Sequence, residues 1–152
     1  MNETKANIST QAVRGRDLWA FMFVAWVMAL AASLGALFIG EVMGQTPCIL
    51  CWYQRNFMFS LAFVLGLACF KAEPGAAKYG LVLAVPGLVT AGWHVLLFYG
   101  VVSEAIAPCT QGISCTDAEM TIRGIPLPLL SLLTFTVIAA LMMRIALLKE
   151  NS

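Results

Sequence analysis

Charged side chains are scarce in this sequence, and their scarcity excludes most classes of soluble protein. Asp, Glu, Lys and Arg make up only 11% of the 152 residues, less than half of the share of about 25% that is usual for a soluble domain. No basic cluster suggests a nucleic-acid partner, and no long linker or low-complexity tract divides the chain. So few charges cannot shield a chain that is 61% hydrophobic from water. A lipid bilayer is therefore the expected solvent, with one integral membrane domain over residues 1–152.

Four apolar segments predict an all-α membrane protein, a bundle of four transmembrane helices at about residues 18–40, 51–70, 79–102 and 125–147. Crossing about 30 Å of hydrocarbon at a rise of about 1.5 Å per residue takes about 20 residues. The second segment is the weakest of the four, because Arg55 must lie at its polar end. The first segment could instead be a cleaved signal peptide, but its apolar run is too long for a usual signal core.

The distribution of basic residues predicts that both termini are cytoplasmic. Seven of the nine Lys and Arg residues lie on one side of a four-span chain, and only Arg55 and Arg123 lie on the other. Since Lys and Arg beside spans mark the cytoplasmic side, the loops at about 41–52 and 103–124 face outward. Those loops hold four of the five cysteines: Cys48, Cys51, Cys109 and Cys115. Disulfides persist on the oxidising side of a membrane. The fifth, Cys69, is interpreted as a small core residue.

Cys48-Ile49-Leu50-Cys51 is a C-x-x-C motif at the predicted start of the second helix. Such a pair can close a disulfide ring, and a helix N-terminus stabilises a thiolate. Arg55 follows Cys51 by four residues and so lies on the same helix face. Both effects favour an ionised Cys51. A purely structural disulfide and a zinc site formed by the four outer cysteines are the alternatives.

The second cysteine pair, Cys109 and Cys115, has five intervening residues and can close a disulfide without strain. Alone, this pair could be a structural disulfide that only stabilises the loop. Two pairs on one membrane face suggest a relay, because electrons can pass between pairs through mixed disulfides. Arg55 and His94 are polar groups near the same face and could donate hydrogen bonds to a quinone. His94, counted back from Val102, would lie about 12 Å below the end of the third span; it could instead pair with a neighbouring helix.

The sequence also resembles a known family. Residues 47–55, Pro-Cys-Ile-Leu-Cys-Trp-Tyr-Gln-Arg, closely resemble the signature of the DsbB family of disulfide-bond formation proteins, and in particular its short BdbC-like branch. Further matches are His94, Pro108-Cys109 with Cys115, and the Ile125-Pro126-Leu127-Pro128 segment that opens the fourth span. The resemblance covers about residues 18–148. It implies a four-helix bundle in the bacterial cytoplasmic (inner) membrane, with redox cysteines on the periplasmic or extracellular side.

The activity that the resemblance implies is oxidation of protein thiols with a membrane quinone, ubiquinone or menaquinone, as electron acceptor. The implied partner is a thioredoxin-fold thiol oxidase of the DsbA type, and no metal is expected. By matching position, Cys109 would form the mixed disulfide with the partner and Cys115 would be its pair. Cys48 would then receive the electrons, and Cys51 would contact the quinone as a thiolate.

Arg55 would hold the quinone, and His94 matches a further family position near it. One departure concerns the second pair, which longer family members separate by a much longer loop. The order of thiol exchange is therefore left open. The alternative function is that of a tetraspan structural or interaction protein whose outer disulfides only staple its loops.

Overall fold

The computed structural model describes residues 2–102, 115, 121–122 and 124–150 of the chain. Within these residues, four long helices form the fold: α1 (Asn2–Leu37), α2 (Ile49–Lys71), α3 (Ala77–Phe98) and α4 (Leu127–Glu150). A π-helical turn (Phe38–Val42) continues α1, and a 3-10 turn (Pro74–Ala76) precedes α3. Two short antiparallel strands lead into α4: β1 (Thr121–Ile122) and β2 (Ile125–Pro126).

The four helices pack as a bundle in which each contacts two neighbours. α1 and α3 each lie between α2 and α4. The core is formed by small and apolar side chains, including Ala25 of α1, Leu65 of α2, Ala84 of α3 and Phe135 of α4. Small residues at helix contacts allow backbones to approach closely, as is usual in membrane bundles.

The outer surface of the bundle is apolar. Phe63, Phe70 and Val82 are exposed by 70%, 84% and 70% of their surfaces. Exposed apolar area on this scale is rare in water-soluble monomers and is suited to lipid. Within the described residues, three stretches are long and apolar enough to cross a membrane: Gly15–Val42, Pro74–Phe98 and Leu127–Lys149. These observations support the predicted membrane protein.

The second predicted span corresponds to α2, which is 23 residues long. It is less apolar than the three apolar stretches, because Gln54, Arg55 and Asn56 follow one another near its start. The number of spans and the sides of the termini therefore stay predictions.

Two helix ends differ from the approximate boundaries predicted for the spans. The third helix ends at Phe98 rather than at Val102, so His94 is only about 6 Å from the end of its helix at about 1.5 Å per residue. The fourth begins at Leu127, and the residues before it pair in a strand. Ile125 and Pro126, which belong to the segment predicted to open the fourth span, therefore precede its helix.

Candidate functional site

The C-x-x-C motif lies at the start of α2, as the sequence predicted. Cys48 is the N-cap residue, with extended backbone, and its Sγ accepts a hydrogen bond from the backbone N–H of Cys51 at 3.4 Å. A sulfur thus fills the capping position that an oxygen usually takes. The two sulfur atoms share a hydrogen bond of 3.0 Å. Both residues are free thiols, and Cys48 is only 2% exposed.

Cys115 lies directly beside this motif although it is 64 residues away from Cys51. It is disulfide-bonded and completely buried. Its Sγ, the Sγ of Cys48 and a ring nitrogen of His94 all lie within 4.8 Å of one another. Leu50 and Leu97 pack around the same two cysteines. The structure therefore brings a free thiol and a disulfide sulfur almost into contact. Cys109, the other predicted member of the second pair, lies outside the described residues.

His94 contacts both Cys48 and Cys115 and is itself held by the side chain of Gln54, which in turn bonds to Ser131. Its Nε2 lies 3.2 Å from the Cys115 carbonyl oxygen and 3.8 Å from Cys48 Sγ. Its Nδ1 lies 3.0 Å from Nε2 of Gln54, whose Oε1 accepts a hydrogen bond from Ser131 Oγ at 2.6 Å. His94 and Gln54 are both buried. The network joins three helices beneath the cysteines.

This arrangement favours a thiolate at Cys48. The hydrogen bond with Cys51 lowers the pKa of Cys48 to about 4, and His94 and the Cys51 backbone N–H act in the same direction against the effect of burial. The sequence assigned the stabilised thiolate to Cys51. That prediction was wrong for the pair of free thiols, because Cys48 occupies the capping position and receives these hydrogen bonds itself.

A cavity of about 1000 Å³ opens beside the motif. Cys51, Gln54, Arg55 and His94 supply polar groups to its wall, and most of the remaining lining comes from α1 and α4, including Met28. Cavities that bind organic ligands commonly have volumes of about 300–1,000 Å³, apolar walls and a few polar groups. The cavity can therefore accept a flat ring with polar substituents near Cys51 and an apolar tail along the helices.

The guanidinium of Arg55 packs against Gly40 in the π-helical turn that follows α1. A Cβ atom at Gly40 would lie only 2.9 Å from Arg55 Nη1 and 3.1 Å from Nη2. The missing side chain of Gly40 thus leaves room for the guanidinium. π-Helical turns are rare and often occur at functional sites.

Cys48, His94 and Cys115 together have the composition of a metal-binding triad. In the state described here they do not present three ligands, for two reasons. Cys115 is already bonded to another sulfur. In addition, the contact with the Cys115 carbonyl requires a proton on His94 Nε2, the nitrogen that would have to bind the metal.

Sequence reasoning missed three residues of this site: Gln54, Ser131 and Gly40. Gln54 lies inside the motif between Cys51 and Arg55, and its amide could have been noticed as a polar group within a predicted span. Ser131 is one of few polar residues in the fourth apolar segment. The role of Gly40 has no sequence signal, since it depends on where the Arg55 side chain packs.

The fold and the site together define a class: helical membrane proteins that carry free thiols and a disulfide at one end of the bundle. The family described as disulfide bond formation protein DsbB matches residues 16–145. A probable disulfide formation protein of Metapseudomonas resinovorans is 47% identical over 126 residues, covering 82% of this chain and 88% of the relative. Disulfide bond formation protein C of Bacillus subtilis (strain 168) is 36% identical over 123 residues, covering 80% and 89%.

The chain therefore belongs to the DsbB family of disulfide bond formation proteins. The resemblance found in the sequence is confirmed, and family membership implies a membrane thiol oxidase that acts in disulfide formation. No solved structure matches the chain significantly.

Proposed function

We propose that this protein oxidises a reduced thioredoxin-fold partner of the DsbA type and passes the two electrons to a membrane quinone. The observation that carries the proposal is the position of Cys48. Its sulfur lies 3.0 Å from Cys51 Sγ and within 4.8 Å of the disulfide-bonded Cys115. Cys51, in turn, lines the cavity together with Arg55. Sulfurs at these separations can exchange bonds with little motion.

The first exchange takes place at the second pair. A partner thiolate attacks Cys109 of a Cys109–Cys115 disulfide, and Cys115 leaves as a thiolate. The second thiol of the partner then attacks the mixed disulfide, so that the partner is oxidised and Cys109 is released. Each attack forms one S–S bond and breaks one.

The second exchange takes place at the first pair. Cys115 attacks Cys48 of the Cys48–Cys51 disulfide, and Cys51 leaves as a thiolate in the cavity wall. Because Cys48 is then bonded to Cys115, it no longer competes with Cys51 for the negative charge, and the positive charge of Arg55 favours the Cys51 thiolate. Cys48 is therefore the ionised thiol when both thiols are free. Cys51 is the ionised thiol when Cys48 is bonded to Cys115.

A quinone bound in the cavity would supply an acceptor for two electrons and two protons. Cys51 would present its thiolate to the acceptor from the cavity wall, and the Arg55 guanidinium would offer donors to an oxygen of the ring. Cys109 attacks Cys115 and releases Cys48 as a thiolate. The Cys48–Cys51 bond then forms as two electrons pass to the acceptor, and both disulfides are restored. The two protons from the partner thiols balance the reduction of the acceptor.

The proposal includes four spans, with α2 as the second, and cytoplasmic termini in a bacterial cytoplasmic membrane. α2 is long enough to cross, and its polar run from Gln54 to Asn56 lies near one end, where the cavity and the cysteines are. The seven basic residues on the opposite side support this orientation. Attachment of a membrane-impermeant thiol reagent to Cys48 or Cys51 from the cytoplasmic side only would contradict it.

The deciding experiment is quinone reduction by the purified protein with a reduced DsbA-type partner. Cys51→Ser should abolish quinone reduction while still allowing the partner to be oxidised once per molecule, because Cys109 and Cys115 remain. Cys69→Ala is the matched control, since Cys69 is the remaining free thiol among the described cysteines and lies near the other end of α2. Full turnover in Cys51→Ser would refute the assigned role.

A further inference from the structure

Gln54 is a buried amide within the bundle that the exchange steps above do not use. Only 7% of its surface is exposed. Its Nε2 lies 3.0 Å from His94 Nδ1, and its Oε1 accepts a hydrogen bond from Ser131 Oγ at 2.6 Å. Among the described residues, no buried side-chain nitrogen or oxygen lacks a partner. A fully satisfied polar network of this kind fixes orientations, because each alternative would leave a group unpaired.

The network selects one tautomer of His94. The Cys115 carbonyl oxygen, 3.2 Å from Nε2, can only accept, so Nε2 must carry a proton. A neutral ring then has an unprotonated Nδ1, which accepts from the Gln54 amide N–H. If the amide were reversed, its oxygen would face the unprotonated Nδ1, and two acceptors would meet at 3.0 Å. Ser131 supports the observed orientation by donating to the amide oxygen.

The selected tautomer has a consequence for the cysteines. The Nε2–H of His94 holds the backbone of Cys115 and also faces Cys48 Sγ at 3.8 Å. The same contact that fixes the carbonyl keeps the Cys115 sulfur within 4.8 Å of Cys48. His94 thus links the residue that delivers electrons to the residue that receives them.

We infer that Gln54 is a positioning residue for electron transfer between the two cysteine pairs: with Ser131, it holds His94 in the Nε2–H tautomer that docks Cys115 beside Cys48. This inference rests on the proposed function, because it concerns the step in which Cys115 attacks Cys48. It assigns Gln54 no contact with the reacting sulfurs, and its effect is exerted through His94.

The tautomer can be observed directly. The chain contains a single histidine, so protein labelled with ¹⁵N-histidine and purified with a histidine-free tag has only one imidazole ring. The wild-type protein should show a protonated Nε2 and an unprotonated Nδ1 at neutral pH. Gln54→Glu offers Nδ1 only an acceptor, so it should place a proton on Nδ1. Thr136→Val is the control for α4, because the Thr136 hydroxyl donates to the Leu132 carbonyl of its own helix.

The functional effect is measured without quinone. Oxidised protein is mixed with a reduced DsbA-type partner and quenched with acid, and the free thiols of each pair are counted by alkylation and mass spectrometry. In Gln54→Glu, reduction of the Cys48–Cys51 pair should slow by a factor on the order of 10 to 100, as misplaced reacting groups do. Reduction of the Cys109–Cys115 pair by the partner should stay within about twofold of wild type. The substitution misplaces the reacting sulfurs only in the step in which Cys115 attacks Cys48.

Ser131→Ala provides a milder test that does not add a charge to the membrane interior. It removes the donor to the Gln54 oxygen, so both tautomers should appear and the second rate should fall less than in Gln54→Glu. A protonated Nδ1 in the wild-type protein would overturn the inference. So would a switched tautomer with an unchanged second rate, or an equal slowing of both rates. Failure of the wild-type protein to reduce its Cys48–Cys51 pair at all would instead refute the proposed function.

Discussion

Replacement of Gly40 tests whether the Arg55 guanidinium binds the electron acceptor. A Cβ atom at this position would lie 2.9 Å from Nη1 and 3.1 Å from Nη2 of Arg55. Because ordinary contacts between heavy atoms are about 3.5–4.0 Å, the guanidinium must retreat by roughly 0.5 Å or more. The group that must move is the end of a flexible side chain, so Gly40→Ala should displace it without disturbing the helices.

The expected loss follows from the strength of a charged hydrogen bond. Such a bond contributes about 1.5–3 kcal/mol, and every 1.4 kcal/mol changes an affinity about tenfold. A partial displacement should lose a fraction of this, so Gly40→Ala should raise the KM for quinone about three- to tenfold. Gly40→Val, which adds more volume, should approach the effect of Arg55→Ala.

The assay is steady-state quinone reduction with a saturating concentration of reduced partner. The KM for quinone should rise while partner oxidation in the absence of quinone is unchanged, because the three atoms nearest to a Cβ at Gly40 all belong to Arg55. Gly15→Ala is the control, since it makes the same substitution in α1, where no described residue beyond the local helix backbone has an atom within 4 Å of the new Cβ. An unchanged KM in both Gly40→Ala and Gly40→Val would refute the role assigned to Arg55.

Two further predictions concern packing and ionisation. The new side chain of Gly87→Ala would overlap the Phe135 ring and should lower stability by about 1–3 kcal/mol. Thermal unfolding in detergent should show this loss. The control is Gly92→Ala in the same helix, where the nearest atom to the new Cβ is 3.9 Å away, and this variant should not unfold earlier than wild type. In the reduced protein, the lowered pKa of Cys48 means that its thiolate persists as pH falls and is lost only near pH 4, so its alkylation by a small reagent should continue well below the usual cysteine pKa of about 8.5. Cys51→Ala removes the strongest of the stabilising hydrogen bonds and should move that midpoint upward; an unchanged midpoint would contradict the assignment.

The sequence predicted the membrane environment and the helical fold because both follow from local properties. A shortage of charge, and apolar runs of about 20 residues, leave a helix in lipid as the stable choice. The C-x-x-C motif was also found at the start of its helix as predicted, since Pro47 before it and the apolar run after it are neighbours in sequence. Helix ends were less predictable: α3 ends at Phe98 although the apolar run continues to Val102.

Interactions between distant parts of the chain could not be predicted in this way. The spacing of cysteines indicated two pairs, but it did not reveal that Cys115 and Cys48 are near neighbours around His94. The sequence argument also chose the wrong thiol for the negative charge, because it counted the helix N-terminus and Arg55 but not the hydrogen bonds that converge on Cys48.

By itself, then, the sequence determined what kind of chemistry this protein carries and at which end of which helix the first thiol pair lies. Helix packing decided which groups meet: Gln54 with Ser131 across 77 positions, and Gly40 with the guanidinium of Arg55. The physical reason is that composition and periodicity act over one helical turn or one span, whereas a hydrogen bond or a clash requires two side chains to reach the same point in space.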